Sequence, residues 1–146
     1  AQSISAKLPV VLLAPIFAFP AEAGRGGKIA LAQLRLQRRR LRRDAGAAIT
    51  DFFQRAGLGD LPLPLPDKLA EEEIAELDEE LGWLENWRAP WPPQAHWHGF
   101  IGENDLLLEA ASLQKIWPAL QIVSGAGHAP GPLLQAAAKN FRGVSP

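Results

Sequence analysis

Apolar positions along this chain follow two different periods. Three short apolar runs, Val10 to Ala14, Trp97 to Ile101 and Leu120 to Val123, have the length and character of strands buried in a parallel sheet. Between the first and second runs the period becomes helical. Ile29, Leu31, Leu34 and Leu41 punctuate an arginine-rich stretch from Lys28 to Asp44. Asp44-Ala45-Gly46 marks a break, and Ala47 to Ala56 resumes with Ile49, Phe52 and Phe53 on one side. Gly57 to Pro66 cannot continue a helix, because its prolines lack N–H donors and clash with the preceding turn; it reads as an extended connector. Lys68 to Trp87 gives the clearest amphipathic helix, with Ile74, Leu77, Leu81 and Leu84 at helical spacing and carboxylates elsewhere. Arg88 to Pro93 ends it. Two more helices are predicted, Ala110 to Trp117 and Pro132 to Phe141, with Pro132 suited to a first turn. Strands alternating with helices predict an α/β fold with a parallel sheet. Residues 1–20 and 94–146 form its core, 21–93 are a helical insertion, and no internal repeat is visible.

With 146 residues, 47% of them hydrophobic, the chain can build one domain with a real core. Its 15 basic and 16 acidic residues nearly balance, so no global field attracts nucleic acid or a membrane surface. The balance hides a segregation: Lys28 to Arg43 is strongly basic and Asp67 to Glu85 strongly acidic. Cysteine is absent, which excludes disulfides and thiolate metal sites and is compatible with a cytoplasmic location. The opening residues admit a second reading. Lys7, the run LPVVLLAPIFAF and Pro20-Ala21-Glu22-Ala23 have the layout of a secretory signal with its cleavage site, which would make the protein secreted. The run is too short to span a bilayer, and we prefer a buried strand.

Asp105 and His128 hold the most informative positions. Each falls in a loop just past the C-terminal end of a predicted strand, Asp105 in Gly102-Glu103-Asn104-Asp105 and His128 in Gly125-Ala126-Gly127-His128. In open α/β sheets ligands bind and chemistry occurs at that rim. Glu103 is the rival acid. His96 and His98 flank Trp97, but two histidines without a third ligand make a weak metal site, and neither a metal nor another cofactor is expected. The tryptophans Trp83, Trp87, Trp91, Trp97 and Trp117 read as packing of core and insertion.

The order acid then histidine, each after its own strand, resembles the C-terminal part of an α/β-hydrolase, whose triad runs nucleophile, acid, histidine. The strand end Leu12-Leu13-Ala14-Pro15, the length of the insertion, Gly102-Glu103-Asn104-Asp105 and Gly127-His128-Ala129-Pro130 are most similar to the pimeloyl-acyl-carrier-protein methyl ester carboxylesterase group. The resemblance implies a partial α/β-hydrolase fold whose nucleophile half is absent. Ala1 to Lys7 would be the tail of the nucleophile helix, and residues 21–93 a lid over the active site. It further implies Asp105 and His128 as catalytic residues and an ester substrate, free or linked to an acyl carrier protein. Asp105 is preferred over Glu103 because it matches the family's position before Leu106 and Leu107.

The sequence contains no G-x-S-x-G nucleophile elbow; Ser3, Ser5, Ser112, Ser124 and Ser145 all lie outside such a phrase. Ester hydrolysis by this route therefore needs a complementary N-terminal half, and the alternative is a non-catalytic binding module derived from a hydrolase. Arg38, Arg39, Arg42 and Arg43 also have two readings. They could dock an acidic partner such as acyl carrier protein, arginine's planar fork being suited to phosphate, or they could pair with the acidic helix of the same insertion. We lean to the internal match.

Overall fold

A computed structural model describes residues 8–59, 69–90 and 93–142. The three apolar runs form strands β1 (Val10–Leu13), β2 (Trp97–Gly102) and β3 (Gln121–Val123). They make one parallel sheet in the order β1-β2-β3, with Val10 opposite Trp97 and Phe100 opposite Gln121. The fold is thus mixed α/β, as the alternation of periods predicts. Side chains alternate across β2, and the two faces meet different cover. On one, Gly99 lies so close to Trp117 that a Cβ would come within 2.3 Å of its ring. On the other, His98 packs edge-on against Phe141 of the last helix, α5 (Pro130–Arg142), with ring centroids 4.9 Å apart. Phe100, Ile101, Leu113, Leu120 and Leu133 are buried at the centre of the core. The crossover from β2 to β3 is the short helix α4 (Ala110–Ile116).

The helical insertion comprises α1 (Leu31–Arg43), α2 (Ala45–Arg55) and α3 (Glu71–Asn86). α1 packs on both of the others. Its start at Leu31, later than the apolar period indicates, has a local cause. The Glu22 carboxylate accepts the Leu31 N–H at 2.9 Å, satisfying a donor that the helix itself leaves open. Asp44 separates α1 from α2 by capping the second helix, its Oδ1 accepting the Ala47 N–H at 3.0 Å. The insertion leaves and returns side by side: the Ala89 N–H donates to the Phe17 carbonyl at 2.9 Å, and Arg25 donates to the Ala89 carbonyl.

Two expectations about tryptophan need correction. Trp83 and Trp87 do not pack inward; they are 65% and 45% exposed on α3. Their four-residue spacing places both on a face of α3 that the described residues only partly cover, beside Ile16 and Leu84. Trp97 is half-buried and Trp117 buried. The extended connector and the helix tail Ala1 to Lys7 fall mostly or wholly on residues outside the described ones, as does Trp91. No helix among the described residues is long and apolar enough to cross a membrane.

Candidate functional site

The end of β2 and the end of β3 are neighbours in the sheet, so the loops that follow them run together. Gly102 permits the approach. A Cβ there would lie 2.2 Å from the Gly127 carbonyl oxygen and 2.4 Å from that of Ala126, so no side chain fits between the loops. Backbone bonds then staple one loop to the other. The Glu103 N–H donates to Val123 at 3.0 Å and the Asn104 N–H to Ala126 at 2.8 Å. The Glu103 carboxylate completes the staple by accepting the Ser124 hydroxyl at 2.8 Å and the Gly125 N–H at 3.0 Å. Those two donors, the Gly125 N–H foremost, hold the Glu103 carboxyl below its ordinary value. Glu103, the rival acid, is therefore committed to joining the loops and is not the partner of the histidine.

Asp105 is that partner. His128 Nδ1 donates to Asp105 Oδ2 at 2.8 Å. The other carboxylate oxygen, Oδ1, accepts the Leu107 N–H at 2.8 Å and the Leu108 N–H at 2.9 Å. Asp105 is the buried charged residue of the core, with 0% of its surface exposed. Burial alone pushes its carboxyl up. The His128 hydrogen bond and charge, with the two backbone donors, outweigh burial and hold the group below its ordinary value of 3.8. An ionised carboxylate only accepts, so Nδ1 carries a proton, and a ring with a single proton carries it there. Nε2 is then the free lone pair. Every sequence feature that singled out this pair is a local one, but their meeting depends on two adjacent parallel strands of matched register.

The arrangement has the chemistry of a general base with its orienting acid: a carboxylate fixes the tautomer and stabilises the imidazolium that forms when Nε2 takes a proton. Sequence reasoning missed Lys28. Its Nζ donates to the Asp105 backbone carbonyl at 2.5 Å and lies 3.8 Å from the Glu109 carboxylate. Nothing in the local sequence signals this contact across 77 positions. His96 and His98 pack edge-on against Trp97 and Phe141 respectively, and no group of three metal-ligating side chains occurs among the described residues.

Arg40 of α1 reaches Asp51 of α2 at 3.3 Å, and the other arginines of α1 divide into two sets. Arg38 grips Asp78 of α3 with two parallel hydrogen bonds of 3.1 Å each and reaches Glu85 at 2.8 Å. Arg42 reaches Asp78 at 2.6 Å and Arg35 reaches Glu85 at 3.0 Å. These pairs hold the Asp78 and Glu85 carboxyls below their ordinary values, the Arg38 hydrogen bonds contributing most, and hold Arg38 firmly protonated. Arg39 and Arg43 are exposed and make no ion pair among the described residues.

No protein-family model matches this chain, and no curated protein or solved structure shows significant similarity to it.

Proposed function

We propose that the chain carries the acid and the base of an α/β-hydrolase-type catalytic triad beneath a helical lid. The substrate would be a carboxylic ester or acyl thioester, with an ester carried on an acyl carrier protein the sharpest assignment. The observation that carries this reading is the buried Asp105 holding His128 at 2.8 Å, with both residues at the C-terminal rim of adjacent parallel strands. In the proposed reaction His128 Nε2 takes the proton of a serine hydroxyl as the oxygen attacks the acyl carbon, then returns it to the departing alcohol or thiol. Water repeats the cycle on the acyl-enzyme. Asp105 stays ionised throughout and steadies the imidazolium.

Serine and oxyanion hole must come from a strand-turn-helix elbow that these 146 residues do not supply, since no G-x-S-x-G phrase occurs in them. The insertion offers apolar room of the kind an acyl chain needs. Leu41, Ile49, Phe52, Phe53, Leu77 and Leu81 line a cavity of about 330 Å³ between its helices. Asp105 and His128 do not line this cavity, so an acyl chain held there would need a path from the rim. The exposed Arg39 and Arg43 remain as contacts for an acidic carrier; Arg38 and Arg42 are engaged within the insertion.

The test is fluorophosphonate labelling and aryl-ester hydrolysis by the protein as its gene encodes it. We expect a labelled serine, and a loss of roughly 10⁴-fold in kcat for Asp105→Asn, the scale known for a triad left with the wrong tautomer. The 146-residue chain alone should not exceed a His128→Ala control. An encoded protein with no reactive serine would overturn the reading. Hydrolysis by the short chain that depends on His128 would instead place the nucleophile among its own serines.

A further inference from the structure

Before α1 begins, the chain does not lead straight into the insertion. It runs first along the loop that carries Asp105. Gly27 forms an antiparallel bridge with Leu108. The Lys28 N–H donates to Leu107 at 2.8 Å, and the Glu109 N–H donates to Gly26 at 2.7 Å. The fit is close: a Cβ on Gly27 would lie 1.9 Å from the Phe19 carbonyl oxygen, so this strap passes between two backbones where only glycine fits. Lys28 then turns its ammonium onto the Asp105 carbonyl at 2.5 Å. Leu31, the first residue of α1, follows three positions later.

We propose that Lys28 is a positioning residue for the Asp105–His128 pair. Four sets of bonds fix Asp105: its N–H donates to the Gly102 carbonyl at 3.3 Å, and three more hold its oxygens. Oδ2 is held by His128, Oδ1 by the backbone of Leu107 and Leu108, and the main-chain carbonyl by Lys28. The N–H bond and the two carboxylate sets fix where the side chain sits relative to its own loop and to the histidine. Lys28 alone ties the residue to the base of the insertion. Asp105 is buried with Lys28 in place, and the ammonium is the side-chain donor its carbonyl accepts. Without the ammonium the peptide loses one of these restraints, and a small rotation of it would carry the carboxylate along. Sub-ångström placement of such a carboxylate decides how well it orients an imidazole. The same contact links the insertion to the pair, because α1 begins three positions after Lys28. The consequence for catalysis rests on the hydrolytic reading above; the positioning itself does not.

The experiment reads the His128 Nδ1–H proton by NMR in the 146-residue chain, as its chemical shift and its rate of exchange with solvent. Lys28→Met should broaden the resonance, move it upfield and speed exchange by roughly tenfold, the scale of one hydrogen bond's net stability. Lys28→Arg, which keeps a cationic donor of similar reach, should restore it. Glu109→Gln should leave it unchanged, separating the hydrogen bond from the long ion pair. Thermal stability should move little in all three, so a generally loosened fold would not reproduce the pattern. If Lys28→Met does not fold, Lys28→Gln gives the same readout, since its amide falls short of the carbonyl. A parental shift and exchange rate in Lys28→Met or Lys28→Gln would overturn the proposal. The measurement needs neither nucleophile nor ester. A displaced resonance beside an inactive encoded protein would keep the positioning role and discard hydrolysis; a parental resonance beside an active one would do the reverse.

Discussion

The rim of the sheet and the helical insertion are held by opposite means. At the rim, backbone meets backbone: the loops after β2 and β3 share bonds across Gly102, and one buried carboxylate satisfies three donors. In the insertion, Leu34, Leu41 and Ala48 are buried on α1 and α2, but α3 has no fully buried residue and is tied to α1 by charged side chains as well. Leu77 and Leu81 of α3 line cavities. The first arrangement permits a single geometry and fails abruptly when one atom changes. The ion pairs of the second are small terms that salt and acid can remove one at a time. Under the proposed hydrolytic reading, the insertion would be a softer cover over a fixed pair of chemical groups, as a gated site requires.

Removing the Asp105 side chain should cost most. Asp105→Ala leaves the Leu107 and Leu108 N–H groups and His128 Nδ1 without their acceptor in a site closed to water. A buried group left unsatisfied costs about 1–3 kcal/mol, and three lose their acceptor here. Chemical denaturation measures it, and a loss below about 1 kcal/mol would show that water reaches these donors after all. Gly102→Ala follows. Its methyl group must push the Ala126–Gly127 backbone aside, and overpacking of this kind costs about 1–3 kcal/mol. The same variant should lengthen the His128–Asp105 contact, because both sides of that contact hang from the loops being forced apart.

Arg38→Ala should matter less, at about 1–2 kcal/mol, since exposed and half-exposed pairs are worth up to about 1 kcal/mol each and this side chain joins two carboxylates. Salt and acid separate the two regions further. Asp105, Asp78 and Glu85 all have carboxyls lowered by folding. Their stabilisation is therefore complete above the ordinary values, 3.8 for aspartate and 4.5 for glutamate, and is lost as pH falls through the depressed folded values. Acid thus weakens both regions. High salt should weaken only the insertion, because at 1 M the screening length is about 3 Å for exposed charges and buried pairs are little affected. Equal salt sensitivity of the parent and Arg38→Ala would show that the network contributes nothing to holding α3.

Much of this contrast was legible in the sequence, for a physical reason. Strand and helix positions follow from local periodicity, so Val10, Trp97 and the helices of the insertion fall where the pattern puts them. Asp105 and His128 were legible because a loop after a parallel strand is a place defined by chain order. Lys28 was not. Its role depends on a strap that crosses to a loop far along the chain, and a lysine at the head of an amphipathic run looks like any solvated charge. The same limit applies to the arginines. Charge segregation predicts that α1 meets α3, but only helix phase decides that Arg38 and Arg42 face Asp78 while Arg39 points away. Trp83 and Trp87 show the converse error, since a large apolar side chain carries a strong expectation of burial whatever its neighbours provide.

That division of the arginines gives the smallest effect and a sharp choice. Arg42→Glu places two carboxylates where Asp78 now has a partner at 2.6 Å; with the Arg42 side chain 59% exposed, the cost should be no more than about 1 kcal/mol. Arg39→Glu breaks no pair among the described residues and should change stability by less than about 0.5 kcal/mol, as surface substitutions usually do. A melting temperature that falls for Arg42→Glu and not for Arg39→Glu is the signature of the internal match. Docking of an acidic carrier predicts a different readout: reversal of Arg39 and Arg43 should abolish carrier binding at unchanged stability, and parental binding should fall steeply as salt shortens the screening length toward about 10 Å at 0.1 M. The two sets of arginines make these outcomes independent. Carrier binding lost only on reversal of Arg38 or Arg42 would contradict both, since those side chains are already committed to α3 and could bind a carrier only by releasing it.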